Sequence, residues 1–189
     1  MDNSNEIIKS LKAIHNFSDE QLDIFISKLT TKNIAKKEHL LKPSQKCNFM
    51  AFIVRGSIRF YSVTHTEEPT LHFFTENNWV AEYESLFSQQ PTKNFLQAFE
   101  ETELQIITLD DVHLLIEQYP IFITLTSLLG QLVLPSSHHI SITNSSPDDR
   151  YKKLLKEHPE WVNRFPQMYI ASYLGMTKET FSRVKGRVR

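Results

Sequence analysis

The sequence predicts an α+β protein, with short helices first, a run of antiparallel strands next, and helices to the end. Three observations predict it. Apolar residues recur at spacings of three and four through residues 3–30 and again after Leu109. Between those stretches lie short β-branched and aromatic runs separated by polar turns. In the last forty residues, basic side chains gather on a helical pattern broken at one glycine.

The elements follow in order. Ile7, Ile8, Leu11, Ile14 and Phe17, then Leu22, Phe25, Ile26 and Leu29, give two helices broken near His15–Ser18, with Ser18 starting the second. From 34 to 109 the runs NFMAFIVR and SIRFYSV, hinged at Gly56, precede PTLHFF, NFLQAFE and ELQIITL. Regularly spaced short strands imply a small antiparallel barrel or sandwich. DDVHLLIEQYP reads as a helix with Asp110 and Asp111 near its start and Pro120 at its end. Ile121, Leu125, Leu128 and Leu132 then form a coiled-coil-like seam, widened by Phe122, Leu129 and Val133 and ended by Pro135. The stretch SITNSSPDD, 141–149, is the candidate linker.

Composition excludes several classes. The 189 residues are 40% hydrophobic and 23% charged, enough for a core and too apolar for wholesale disorder. Only 4 glycines are present, too far apart for a phosphate-cradling loop. One cysteine, Cys47, excludes a disulfide framework, a cysteine zinc site and a cysteine-ligated iron–sulfur cluster within one chain. The 8 histidines show no ligand spacing, so neither metal nor cofactor is expected. No apolar run reaches membrane-spanning length, and the polar opening MDNSNEIIKS does not resemble a secretory leader. The expected location is the cytoplasm. A barrel enzyme would need a named constellation, such as His-x-His with a following Glu or an activated nucleophile, and none is found. No catalytic residue is therefore assigned, and an enzyme is not expected. A ligand- or protein-binding barrel without nucleic-acid function is the remaining alternative.

The net charge of −1 hides an asymmetry. Residues 150–189 hold ten cations against three anions, a net +7, while the rest of the chain carries −8. Such a tail fits a polyanionic partner. Within it, PQMYIASYLGMTKETFSRVKGRV carries the pattern of a helix-turn-helix. Pro166 opens one helix, Gly175 stands where a left-handed turn is needed, and Thr177 caps the second helix, 177–188. Ala171, Met176, Phe181 and Val184 would pack the two together. The outer face then holds Lys178, Glu179, Ser182, Arg183 and Lys185. In a major groove, Arg183 could bond guanine O6 and N7 and Glu179 could accept from a cytosine amine. Lys185, Arg187 and Arg189 would meet phosphate. The candidate DNA contacts are Gln167, Thr177, Lys178, Glu179, Thr180, Ser182, Arg183 and Lys185.

IASYLGMTKETFSRV resembles the two DNA-reading helices of the cyclic AMP receptor protein / fumarate–nitrate reduction regulator (Crp/Fnr) family of transcriptional regulators. The order of elements resembles that family over nearly the whole chain. The resemblance implies a cyclic-nucleotide-binding-like β-roll over 1–119, a dimerisation helix and hinge over 120–145, and a helix-turn-helix domain over 146–189 whose β-hairpin wing is short or absent. It implies a homodimer on a two-fold symmetric DNA operator, with RNA polymerase as a further partner and no membrane. The family's nucleotide cassette carries a Gly-Glu pair and a later Arg-Ser pair. Here Ala81-Glu82 and Thr92-Lys93 stand at those places, which makes Glu82, Thr92 and Lys93 the candidate effector residues. No arginine lies between Arg59 and Arg150, so the phosphate-clamping guanidinium is missing and cyclic AMP is not expected to bind. Glu82 is expected to be an ordinary surface carboxylate. The effector's identity is not encoded in these motifs.

Overall fold

The computed structural model describes residues 4–128 and 145–188. Helices α1 (Ser4–Lys12) and α2 (Asp19–Ser27) form where the apolar spacing predicts them. Ser18 and Gln21 make a reciprocal capping box at the start of α2, satisfying two otherwise orphaned N–H groups. Leu11, Leu22 and Phe25 are buried from these helices.

Eight strands follow: β1 (Thr30–Ile34), β2 (His39–Leu41), β3 (Phe49–Arg55), β4 (Ile58–Ser62), β5 (Thr70–Phe74), β6 (Trp79–Val80), β7 (Asn94–Ala98) and β8 (Thr102–Thr108). They make two four-stranded sheets, β1-β8-β3-β6 and β2-β7-β4-β5. The β1–β8, β3–β8, β3–β6 and β2–β7 pairs are antiparallel, with bulges in β2–β7 and in β3–β8 between Ile53 and Arg55. Sequence periodicity does not predict β1, β2 or β6. Four of the five β1 residues are exposed, which leaves no alternation to read, and β6 is two residues long.

Gly56 makes the tight link between β3 and β4. Its φ is +97°, and an added Cβ would run into Thr102, with Glu101 O at 2.6 Å. Only glycine fits there. Thr102 Oγ1 accepts from Ser57 N–H at 3.2 Å, closing the same corner.

Helix α3 (Tyr83–Ser88) interrupts the strands, and α4 (Leu109–Gln118) follows them with Thr108 as its cap. Residues Pro120–Leu125 are a 3-10 helix, not the opening of a continuous α-helix. Pro120 lies at its start, and Phe122 and Leu125 are buried. Phe122 stacks on Phe17 at 5.4 Å and lies near Phe25, so the first half of the expected seam is spent on this core. The second half, with Leu129, Gly130, Leu132, Val133 and Pro135, lies outside the described residues.

Four helices follow: α5 (Pro147–Glu157), α6 (Trp161–Arg164), α7 (Gln167–Tyr173) and α8 (Lys178–Arg187). Ser146 caps α5 through Asp149, so the end of the expected 141–149 linker is a helix start; residues 141–144 lie outside the described residues. The chain divides into two units, Met1–Phe60 with Phe73–Leu134, and Tyr61–His72 with Pro135–Arg189. In the second unit, Thr70 N–H donates to Ser172 Oγ at 2.9 Å, and His72 meets Trp161 and Tyr173 edge-on. No helix among the described residues is long and apolar enough to cross a membrane.

Candidate functional site

Two places concentrate the residues that the sequence singles out. The first is the α7–α8 pair. Pro166 stands at the N-cap position of α7, whose Ile170, Ala171 and Tyr173 are buried. The helix ends at Leu174, and Gly175 takes the left-handed φ of +62°. Gly175 N–H donates to Ser172 O and Met176 N–H to Ala171 O, using carbonyls the helix ladder leaves over. Thr177 then caps α8, its hydroxyl accepting from Thr180 N–H at 3.2 Å. Phe181 and Val184 are fully buried, and Phe181 meets Tyr151 of α5 edge-on at 5.3 Å.

That packing turns the other side of α8 outward. Lys178, Glu179, Ser182 and Arg183 are exposed, and Thr180 and Lys185 are half-buried. Arg183 Nε donates to Glu179 O at 3.4 Å, and its two Nη groups bond nothing among the described residues. The Glu179 carboxyl is held below the usual carboxylate range by its own backbone N–H first, then by the Thr177 hydroxyl, with Lys178 and Arg183 adding to it. Gln167 is exposed at the start of α7. The Thr177 hydroxyl makes the cap that the sequence predicts and is committed there, not held free for a phosphate.

Two cations of the basic tail are spent within the fold, one of them, Arg187, against its expectation as a phosphate contact. Arg187 Nη2 pairs with Asp148 Oδ1 of α5 at 2.9 Å. Arg150 Nη1 donates to Leu174 O at 2.5 Å and to Gly175 O at 3.3 Å. The partners lie 39 and 24 positions away, beyond any local spacing rule.

The second place is a polar recess of about 290 Å³ lined by Glu82, Glu84, Ser85, Thr92, Lys93 and Asn94, among others. The structure therefore brings Glu82, Thr92 and Lys93 together. Glu82 is not a surface carboxylate: it is 3% exposed and caps α3, Oε2 accepting from Ser85 N–H at 2.9 Å. Oε1 faces Asn94 Nδ2 at 3.5 Å. The cap works because the turn into α3 points its first N–H groups back at residue 82, and that geometry leaves no periodic trace in the sequence. Thr92 is 6% exposed, and its Oγ1 accepts from Asn94 N–H at 2.9 Å. Its backbone pairs with Ser44 and Gln45. Lys93 is exposed. No guanidinium lines the recess. A separate groove of about 450 Å³, lined by Met50, Leu86, Phe87, Val112, Ile116 and Phe122 among others, is predominantly apolar. Among the described residues, no cluster of three or more His, Cys, Asp or Glu is placed to hold a metal ion.

Residues 31–119, which contain both sheets and this recess, match the family model of the cyclic nucleotide-binding domain. The β-roll is therefore similar in fold to cyclic nucleotide-binding domains. Solved structures of Crp/Fnr-type regulators are similar to the chain well beyond that domain. FixK2 from Bradyrhizobium japonicum is 16% identical, with 84% of this chain and 83% of that one covered and a TM-score of 0.70. CLP from Xanthomonas campestris, described as a c-di-GMP-responsive global regulator, is 14% identical over 90% of this chain and 91% of its own, with a TM-score of 0.69. CooA from Carboxydothermus hydrogenoformans is 18% identical over 86% and 77%, with a TM-score of 0.66. At such identities the likeness is one of fold. The search of curated proteins gave no match. In the β-roll, the α3 cap made by Glu82 and the Thr92–Asn94 turn use up polar groups that face the recess.

Proposed function

We propose that the chain is a DNA-binding transcriptional regulator of Crp/Fnr type, in which α7 and α8 act as a helix-turn-helix and α8 reads the major groove. The observation that carries this reading is the split of α8. Phe181 and Val184 are buried while Lys178, Glu179, Ser182 and Arg183 face outward with unspent hydrogen-bonding capacity.

A planar guanidinium with both Nη groups open matches guanine O6 and N7 in bidentate fashion. Glu179, held ionised, can only accept, which suits a cytosine amine. Lys178 and Lys185 add phosphate attraction and salt dependence without sequence choice. Gln167 and Ser182, both exposed, would serve as further polar contacts. Two copies paired through the region that follows Pro120 would present two such helices roughly 34 Å apart to a two-fold symmetric operator. RNA polymerase is the partner such a regulator would engage.

The recess supports a regulator that does not answer to cyclic AMP. Glu82 is spent on capping α3, and Lys93 supplies a point charge without a fork. Calorimetric titration with cyclic AMP, cyclic GMP and, because CLP is described as responsive to it, c-di-GMP tests this; micromolar binding of either cyclic mononucleotide overturns it.

Selection of bound duplex from a random pool, followed by gel shifts across salt concentration, tests the DNA reading. Arg183→Ala should cost about 1–3 kcal/mol on the selected duplex and relax preference at one base position. Lys185→Ala should weaken all duplexes alike and reduce the salt slope by about one. If both substitutions leave binding unchanged, α8 is not the reading helix.

A further inference from the structure

We infer that Arg150 is the positioning residue that fixes the turn between α7 and α8, and that it thereby sets how well α8 discriminates one DNA sequence from another. The inference rests on the DNA-reading function proposed above.

Arg150 lies in the first turns of α5, its N–H donating to Ser146 O. A cation near a helix N-terminus is disfavoured by that helix's own dipole. Local helix preference therefore does not explain an arginine here. Its reward lies across the fold, at the other end of another helix. Nη1 reaches Leu174 O and Gly175 O, at the negative C-terminal end of α7. These two carbonyls stand past Ile170, Ala171 and Ser172, whose carbonyls already accept from Leu174, Met176 and Gly175 respectively. The guanidinium thus pins the part of the chain where direction changes, one residue before Met176 and two before the Thr177 cap.

The geometry distinguishes this role from a phosphate contact. Arg150 Nη1 is turned into the protein, and Nε is buried without a hydrogen-bond partner. Nη1 is thereby spent on the carbonyls of the turn and not open to a phosphate. The turn has little else to fix it. Gly175 has no side chain to pack, and its left-handed backbone is held by the two N–H bonds already named. A small rotation there swings the whole of α8, and Arg183 lies eight residues beyond Gly175 at the end of that lever. Base-edge bonds need the side chain placed to within a fraction of an ångström, whereas phosphate attraction tolerates displacement.

The test uses the full chain, carrying Arg150→Met or Arg150→Lys, with binding to the selected duplex and to a scrambled duplex measured by fluorescence anisotropy across salt. Thermal melts establish the folded fraction. Arg150→Met is expected to weaken the selected duplex by roughly tenfold or more, the loss typical of a charge-assisted bond. Binding to the scrambled duplex and the salt slope should stay as in the unsubstituted chain. Arg150→Lys, which keeps one donor, should recover part of the preference. Amide hydrogen exchange at Gly175 and Met176, read by NMR, should accelerate in Arg150→Met with or without DNA. Equal weakening of both duplexes, with the slope reduced by about one, overturns the inference by making Arg150 a phosphate contact. A folded fraction that binds normally and exchanges normally overturns it by making the contact mere packing. If the unsubstituted chain binds no duplex while exchange at Gly175 and Met176 still accelerates, the brace stands and the DNA reading, with the discrimination assigned to Arg150, falls.

Discussion

The recess behind Glu82 and the outward face of α8 are built from the same kinds of side chain, carboxylate, hydroxyl and cation, and they use them in opposite ways. Around the recess, Glu82 caps Ser85, Ser85 Oγ donates to Gln90 O and accepts from Cys47 N–H, and Thr92 receives Asn94. On α8, Arg183 makes one long bond within its own helix and keeps the rest of its fork open. What a surface can offer a partner is the hydrogen-bonding capacity that folding leaves unspent, and residue type alone does not report it. The β-roll spends its polar groups on closing itself. The C-terminal helices spend theirs at the turn and at the cap, and leave one face uncommitted.

The largest effect that would break this comparison lies at the closed end. Gly56→Ala places a methyl group against Thr102 and Glu101 O while forcing a φ of +97° on an L side chain. Strain and overpacking together should destabilise the chain by about 2–4 kcal/mol in urea denaturation. A smaller loss means that the corner at Ser57 and Thr102 can yield.

A second effect reads the same closure through pH. Burial pushes the Cys47 thiol up to about 11 from an ordinary 9.0, Glu82 adding to the rise by its charge. The folded chain therefore keeps a proton that the unfolded chain releases, so stability falls as pH rises from about 9 to about 11. The loss should be about 2–3 kcal/mol. Cys47→Ala removes that portion, so the stability gap between parent and variant should narrow by this amount between pH 8 and pH 11. An unchanged gap would show the thiol to be open to water.

The smallest effect sharpens the other side. Asp148→Asn releases Arg187 from an exposed ion pair and should cost less than about 1 kcal/mol in stability. It should also tighten duplex binding a few-fold and steepen its salt slope by up to roughly one, because a freed guanidinium can displace a counterion. Weaker binding would mean that Asp148 supports α8 rather than competing with phosphate for Arg187.

Much of this was legible in the residues. Ser18 and Thr177 announce their helices because capping is a short-range interaction, and Gly175 announces its turn because few other residues take that backbone cheaply. The buried Phe181 and Val184 follow from a spacing of three. Strand β1 was illegible because an exposed edge has no apolar alternation. The burial of Glu82 is illegible because it is decided by how the turn into α3 folds back, and the internal pairings of Arg150 and Arg187 because their partners are remote in sequence. The 3-10 segment at Pro120–Leu125 was hidden for a related reason. Its apolar spacing suits a helix, while Pro120 and the pull of Phe17 and Phe25 on Phe122 decide which kind.

The placement of Arg150 and Asp148 bears on how this module can be transplanted. Both sit before the two helices they touch, on α5, so a chimera cut at Pro166 would inherit α8 without its supports. A graft beginning at Ser146 carries the cap, the carboxylate and the guanidinium together, but still leaves behind Thr70 and His72, which meet Ser172, Trp161 and Tyr173.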